Sequence, residues 1–208
     1  QARNTEQQNL TRADGLIESL LKADIAQVPS IIADMKLYRQ WVNPKLTEAF
    51  DNSNEDSKGH LHASLALLSA EPAQLPYLQD RLLNAKPDQI GIIVSLLEKH
   101  KDDLVTDLWR VAEKPDKGEG TQLLQAASAL ATYDKDNEEK WPGIVDRVVD
   151  TLVNENSLRV AVWIKTLRPA RRHLVKPLGV VYRSKVEDRS QTQIDLATDI
   201  LEQYAADD

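Results

Sequence analysis

Apolar residues recur along almost the whole chain at intervals of three and four positions, with polar residues between them. This spacing places the apolar side chains on one face of an α-helix, as in residues 16–25, 75–82 and 144–152. No alternating apolar–polar run is long enough to predict a β-strand, although residues 178–182 fit a short strand as well as a helix after Pro177. The pattern therefore predicts an all-α protein.

Proline and polar residues predict where helices begin and where they are separated. Pro29 and Pro44 are each expected to open a helix, because the first helical turn has no partner for a backbone N–H group. Residues 51–59, with the sequence DNSNEDSKG, are expected to form a polar loop. Residues 1–51 are accordingly interpreted as atypical N-terminal helices that precede a series of helical pairs over residues 57–206.

One helical surface recurs in three segments. Each carries Ala, then Leu four positions later, then Ala or Tyr three positions further, which together form one helix face. The three sets are Ala63, Leu67 and Ala70; Ala126, Leu130 and Tyr133; and Ala197, Leu201 and Tyr204. With weaker copies between them, the anchor residues are Leu67, Leu97, Leu130, Ile164 and Leu201, spaced 30 to 37 residues apart.

A period of this length, built from two helices, is typical of α-solenoids, because one pair buries its apolar face only by stacking on its neighbours. The sequence predicts a single domain over residues 1–208, a right-handed α-α superhelix of HEAT- or armadillo-like pairs. The final helix is interpreted as the first half of a truncated repeat, so Leu196, Ile200 and Leu201 would be partly exposed or would cover a neighbouring molecule. The alternative is a helical bundle in which the Ala–Leu spacing recurs by chance.

Composition agrees with helices packed on helices. Hydrophobic residues make up 41% of the chain, but aromatic residues only 5%, which favours helical packing over a β-sandwich. The absence of cysteine excludes disulfides and thiolate metal sites. No apolar run approaches the roughly 18–20 residues needed to cross a bilayer, so no transmembrane segment is predicted.

The net charge of −7 is unevenly distributed. Residues 156–186 hold eight of the 26 Lys and Arg residues and no acid, which leaves 18 basic against 33 acidic residues elsewhere, a balance of −15. This balance argues against nucleic-acid binding, whereas the basic block is a candidate contact for an anionic partner. The candidate contact residues are Arg168, Arg171, Arg172 and Lys176.

Two arrangements of the basic block are open at this stage. If the four candidate residues share an open face, they suit an acidic peptide, a phosphorylated segment or an anionic membrane surface. If acids of the adjacent helices face the block, exposed ion pairs contribute only about 0–1 kcal/mol each. The acids expected in that case are Asp146, Asp150, Glu155, Glu187, Asp188 and Asp195.

No catalytic, cofactor-binding or metal-binding residue is predicted. His60 and His62 are two positions apart, which places them about 200° apart around a helix, so they cannot share a metal unless the helix N-terminus unwinds. Residues 117–122 (KGEGTQ) lack the Lys-Ser or Lys-Thr of a phosphate-binding loop and are interpreted as a flexible connection. The four tryptophans are interpreted as wedges between helical pairs, with an aromatic rim for ligand stacking as the alternative. They are Trp41, Trp109, Trp141 and Trp163.

The segments LIESLLKADIAQVPSIIADM, YRQWVNPKL, LHASLALL and LATDILEQYAADD resemble the helical HEAT-like region of large bacterial membrane-anchored serine/threonine kinases. The resemblance covers most of the chain, and VPSII and YRQWVNP are its more distinctive parts. It implies a non-kinase segment beyond a kinase domain and a transmembrane helix, on the extracytoplasmic side of the membrane. A formylglycine-generating-enzyme-like or propeller domain often follows in that family. The glycine-rich loop, HRD and DFG motifs of a kinase are absent here.

These observations predict a non-catalytic interaction or spacer module, part of a membrane-anchored kinase, that binds a protein or peptide without a cofactor. The alternative is a HEAT-like enzyme acting on nucleic acid, such as a base-excising DNA glycosylase. That activity would need an electropositive groove, aromatic wedges and a lone carboxylate, and the acidic balance outside residues 156–186 argues against it.

Overall fold

A computed structural model describes the backbone of residues 2–114 and 120–206 and the side chains of residues 5–114 and 122–206. The protein is 82% helical, and the described residues contain no strand, so the all-α prediction is confirmed. Contacts between Cα atoms group the chain into two compact units, residues 1–81 and 82–208.

The first unit is built on a long helix that packs against three others. Its helices are α1 (Ala2–Lys22), α2 (Val28–Asp34), α3 (Arg39–Asp51), α4 (Lys58–Leu67) and α5 (Leu75–Leu83), the last of which runs just past the unit. Helix α1 packs on α2, α3 and α4, and the last two also pack on each other. The core between them includes the fully buried Leu20, Val28, Met35, Val42 and Leu46.

In the second unit, α8 contacts four other helices. The helices are α6 (Pro87–Leu97), α7 (Lys101–Glu113), α8 (Gly120–Tyr133), α9 (Val145–Val153), α10 (Ser157–Leu167), α11 (Arg171–Tyr182) and α12 (Gln191–Ala205). Helix α8 packs on α6, α7, α9 and α10, while α11 packs on α9 and α12. Helix α6 also reaches α10, so α6, α8 and α10 form one continuous surface.

Side-chain caps define several helix starts. Ser57 Oγ accepts a hydrogen bond from the His60 backbone N–H at the start of α4, and Asn156 Oδ1 accepts one from the Leu158 backbone N–H at α10. These caps satisfy N–H groups that have no partner within the helix. Because Ser57 is the cap, the predicted polar loop 51–59 is shorter than expected and its last residues belong to α4.

Of the two helix starts predicted from prolines, the one at Pro29 is confirmed and the one at Pro44 is wrong. Pro29 lies in the first turn of α2, as predicted. Pro44 instead lies inside α3, because a 3-10 turn over Met35–Tyr38 leads directly into that helix. Pro177 also lies inside a helix, α11, so residues 178–182 are helical. Pro177 is buried in the core, and packing maintains the helix where the prolyl nitrogen donates no hydrogen bond.

Burial of the repeated helix face follows most of the predicted positions, but Ala70 is exposed in the turn that follows α4, so the prediction was wrong for this residue. The first four anchors are buried: Leu67, Leu97, Leu130 and Ile164. The fifth, Leu201, is half-buried, as is Leu196, in agreement with their predicted partial exposure. The prediction was wrong for Ile200, which is fully buried in α12, the helix that packs on both α9 and α11.

Within the two described ranges, no helix combines the length and the hydrophobicity that crossing a bilayer requires.

Candidate functional site

A cavity of about 470 Å³ lies in the second unit, where the start of α11 meets the end of α12 and the loop after α8. We call it the basic cavity. Its lining residues are Lys135, Asp136, Pro169, Arg171, Arg172, Val175, Leu201, Tyr204 and Ala205. The cavity thus combines cationic groups with an apolar wall.

The structure brings together three of the four predicted contact residues. Arg171 and Arg172 line the basic cavity. Arg168 lies beside it, with its guanidinium carbon 5.9 Å from the centroid of the Tyr204 ring and a hydrogen bond of 3.5 Å to the Gln203 carbonyl. Lys176 is exposed on α11 and is not among the lining residues.

Local structure explains why the two arginines reach the cavity. A 3-10 turn over Arg168–Ala170 separates α10 from α11, and Pro169 fixes its backbone. Helix α11 begins at Arg171, so Arg171 and Arg172 project from its first turn. The positive end of the helix dipole lies there, and it adds to the attraction for an anion.

Arg172 already holds two carboxylates of the protein itself. Its Nη2 lies 3.2 Å from Asp136 Oδ1 and 2.9 Å from Glu138 Oε1. The two acidic side chains are 70% and 74% exposed, so each pair contributes only about 0–1 kcal/mol. An incoming carboxylate therefore competes with weak, solvent-exposed partners.

The acids that face Arg172 differ from those expected from the sequence. Asp150 pairs with Arg189, and Glu155 accepts a hydrogen bond from the Trp163 indole N–H. The actual partners come from the loop between α8 and α9, because α11 begins beside that loop. Neighbouring positions in the sequence gave no sign of this proximity.

Buried aromatic side chains hold the same loop in place. Asp134 Oδ2 accepts a 2.7 Å hydrogen bond from the Trp109 indole, and the Asp134 carbonyl accepts a 3.0 Å bond from the Trp141 indole. The Trp141 ring stacks on His173, with centroids 5.3 Å apart, and His173 Nε2–H donates to the Lys135 carbonyl at 2.8 Å. The position of the acidic loop opposite α11 is thus fixed from the core.

Three tryptophans lie in the interior. Trp109, Trp141 and Trp163 are each at most 1% exposed, and each indole N–H has an acceptor. They pack between helices and do not form an exposed aromatic rim. Trp41 is half-buried.

A second, smaller cavity of about 230 Å³ runs across α6, α8 and α10. We call it the hydroxyl groove, because four of its lining side chains carry hydroxyl groups. The lining residues are Gly91, Val94, Ser95, Glu98, Ser128, Thr132, Lys165, Thr166 and Pro169. The Ser128 and Thr166 hydroxyls are hydrogen-bonded at 2.8 Å. The groove was not predicted from the sequence, since its residues come from three separate segments.

Some of the basic side chains have a structural role that was not predicted from the sequence. They donate hydrogen bonds to carbonyl groups in the last turn of a neighbouring helix, where those groups lack a helical partner. The pairs are Arg39 with Ala66, Lys58 with Lys22, Arg147 with Ala112, and Arg168 with Gln203. Part of the cationic charge therefore stabilises helix ends.

The two histidines of α4 make separate packing contacts. The His60 ring lies 3.9 Å from the Phe50 ring between centroids, and its Nδ1 is 2.9 Å from Ser53 Oγ. His62 Nδ1–H donates to the Leu20 carbonyl at 2.9 Å. No group of three or more His, Asp or Glu in the described part of the chain is arranged to hold a metal ion. Of the segment 117–122, residues 117–119 lie outside the described backbone, and residues 120–122 form the start of α8 and not a flexible connection.

Comparison of the chain with family models, curated proteins and solved structures finds no match.

Proposed function

We propose that this chain is a non-catalytic helical-repeat module that binds an acidic segment of a protein partner in the basic cavity. The observation that carries the proposal is that Arg171 and Arg172 line a cavity of about 470 Å³ together with Val175 and Leu201. Guanidinium groups bind carboxylates through directed, charge-assisted hydrogen bonds, and the apolar wall contributes contact area.

Recurrent hydrogen bonds support a repeated architecture in the second unit. The Tyr133 hydroxyl donates to the Val94 carbonyl at 2.6 Å, and the Tyr204 hydroxyl donates to the Ile164 carbonyl at 3.2 Å. The partners are 39 and 40 residues apart, so α8 is bonded to α6 in the same way as α12 is bonded to α10. Stacked HEAT-like pairs that form a right-handed superhelix are part of the proposal, as is the period of 30–37 residues.

The resemblance to the kinase-associated region supplies the proposed context. In that context the chain is a scaffold or spacer of a membrane-anchored serine/threonine kinase, on the extracytoplasmic side. The parent reading frame tests this, because it should encode the kinase motif set and a membrane-spanning helix upstream of these residues. A reading frame without them would overturn the context but not the binding proposal.

The nucleic-acid alternative receives less support from the geometry. A glycosylase of the predicted kind needs aromatic side chains free to stack on bases, whereas Trp109, Trp141 and Trp163 are buried. Arg172 faces Asp136 and Glu138, which reduces the positive potential that a phosphate backbone requires.

A peptide titration tests the binding proposal. The probe is a fluorescein-labelled peptide of alternating Gly and Glu, compared with the same peptide carrying Gln in place of Glu. The Arg171→Glu/Arg172→Glu variant should weaken binding of the Glu peptide by at least about tenfold, or about 1.4 kcal/mol, because two charge-assisted contacts are lost.

A matched variant controls for net charge. Arg159→Glu/Lys185→Glu changes the charge equally at two exposed residues of the same basic block that do not line the cavity. It should retain most of the affinity, and circular dichroism should be unchanged in both variants. Equal loss in the two variants, or equal affinity for the Gln peptide, would overturn the proposal.

A further inference from the structure

We infer that the hydroxyl groove and the basic cavity form one continuous binding channel for an extended peptide, with its acidic residue in the cavity and small uncharged residues along the groove. The inference rests on the proposed function and specifies the chemistry of the partner segment. It predicts that the partner segment needs small uncharged residues beside its acidic residue, which charge alone would not require.

Continuity of the two cavities is the first step. Pro169 lines both of them, and it lies in the 3-10 turn over Arg168–Ala170 between α10 and α11. Residues just before this turn, Lys165 and Thr166, face the groove, whereas Arg171, directly after it, faces the cavity. A chain leaving one cavity across Pro169 therefore enters the other.

The groove is suited to a peptide backbone. Gly91 and Ser95 occupy exposed positions i and i+4 of α6, and the exposed Glu98 directly follows the helix; the three residues form one edge of the groove. Hydroxyl groups both donate and accept hydrogen bonds, so Ser95 and Thr132 can pair with either the N–H or the C=O of an extended chain. Such pairing recognises the backbone whatever the side chains are.

Close packing of the groove restricts the side chains of the ligand. A Cβ atom added to Gly91 would lie 3.8 Å from Thr166 Cγ2, which shows how closely α6 approaches α10. Ser128 is fully buried beneath the groove and bonded to Thr166. A groove of about 230 Å³ that also has to hold the peptide backbone favours Gly, Ala or Ser over large side chains.

The charges that line the channel place the acidic residue of the ligand at its basic-cavity end. The groove is lined by one acid and one base, Glu98 and Lys165, and is therefore neutral in sum. The basic cavity is lined by three cationic side chains and one acidic side chain, Asp136. A peptide with one carboxylate and an uncharged stretch consequently fits the channel in one position, with its carboxylate in the basic cavity.

Amide chemical-shift mapping of the full chain by NMR tests the inference with four capped probes. These are acetyl-glutamate N-methylamide, the pentapeptides Gly-Ala-Gly-Ala-Glu and Glu-Ala-Gly-Ala-Gly, and Gly-Leu-Gly-Leu-Glu. The single residue should shift amides at the start of α11 only. One of the two alanine pentapeptides should also shift amides of α6 and α10 in the groove, whereas the leucine pentapeptide should not.

A pair of glycine variants separates groove filling from helix stabilisation. Gly91→Ala places a methyl group in the groove, and Gly15→Ala adds one on α1 where nothing lies within 4 Å. Both remove a helix-interior glycine and should favour the helix similarly. Gly91→Ala should weaken the preferred pentapeptide at least about threefold and leave acetyl-glutamate N-methylamide unaffected, whereas Gly15→Ala should change neither.

The outcomes distinguish failure of the channel inference from failure of the proposed function. If the single residue binds at α11 and no pentapeptide reaches the groove, the inference is overturned and the proposed function stands. If no probe shifts the amides at α11, both are overturned, even where groove amides respond. Equal weakening of both probes by Gly91→Ala would also overturn the inference, because the effect would not arise from the groove.

Discussion

His62 shows how burial of a single side chain makes stability depend on pH. It is 1% exposed in the first unit, and its Nδ1–H donates to the Leu20 carbonyl. Burial lowers the pKa of His62 because the charged imidazolium loses hydration, and nearby Lys58 acts in the same direction, whereas the Leu20 carbonyl and Asp24 act against it. The folded protein therefore favours the neutral ring.

This shift gives a signed prediction for stability. In the unfolded chain the pKa of His62 returns to about 6.5, so below that pH the unfolded state binds more protons than the folded state. The free energy of unfolding should then decrease as the pH falls through 6.5 toward the lower folded-state pKa. Urea unfolding at pH 7.5 and 5.5 measures the decrease. His62→Asn, which keeps a side-chain N–H donor, should reduce it, and an unchanged difference would contradict this origin.

Asp134 offers a second test at the residue scale. Its carboxylate accepts hydrogen bonds from the Trp109 indole and from Asn137 Nδ2. Asp134→Ala should lower the free energy of unfolding by about 2–3 kcal/mol, because a buried indole N–H loses its partner. Asp134→Asn retains an acceptor oxygen and should cost clearly less. Equal losses in chemical denaturation would show that charge, and not the hydrogen bond, matters at this position.

At the scale of elements, the sequence predicts helices well and their boundaries less well. Apolar spacing and the first-turn proline Pro29 were sufficient to predict the helices and the start of α2. The position of Pro44 inside α3 was not predictable, because the preceding 3-10 turn over Met35–Tyr38 depends on the burial of Met35. Tertiary packing outweighed the local preference of proline.

Pro44 is consequently a site where helix stability can be improved. Its ring is exposed, so replacement loses little packing. Pro44→Ala restores one backbone donor within α3 and removes a ring that disfavours the helix, although it also increases the entropy of the unfolded chain. We expect a net gain of about 1–2 kcal/mol in the free energy of unfolding, measured with denaturant.

The buried Pro177 in α11 serves as the comparison. Pro177→Ala also removes core contacts and should give a smaller gain or a loss. If Pro177→Ala stabilised the protein as much as Pro44→Ala, burial would not explain the tolerance of proline in α11.

At the scale of the whole molecule, the sequence revealed the two arginines of the candidate site but not the residues around them. The excess of basic residues in 156–186 identified Arg171 and Arg172. Their neighbours Asp136, Leu201 and Tyr204 come from the loop after α8 and from α12, which only the packing of helices brings together. Composition detects charge, but it does not show which groups share a cavity.

Because contacts group the chain into two units, a core substitution is expected to destabilise mainly the unit that carries it. Leu46 and Leu130 are both fully buried, one in each unit. Leu46→Ala and Leu130→Ala should each cost about 2–5 kcal/mol through the cavity left behind. Native-state hydrogen exchange should show faster exchange mainly in the unit that carries the substitution. Equal acceleration in both units would indicate a single cooperative structure.

The hydrogen bonds between neighbouring helices bear on how the chain folds while it is synthesised. His62 bonds to Leu20, Tyr133 to Val94 and Tyr204 to Ile164, over 42, 39 and 40 residues. A ribosome adds about 40 residues in roughly 2–8 s, whereas a helix forms in about a microsecond. Each earlier helix thus waits seconds for the later helix that bonds to it, and the structure can grow from the N-terminus. The contact between α6 and α10 spans nearly twice that distance, so α6 waits correspondingly longer for its partner.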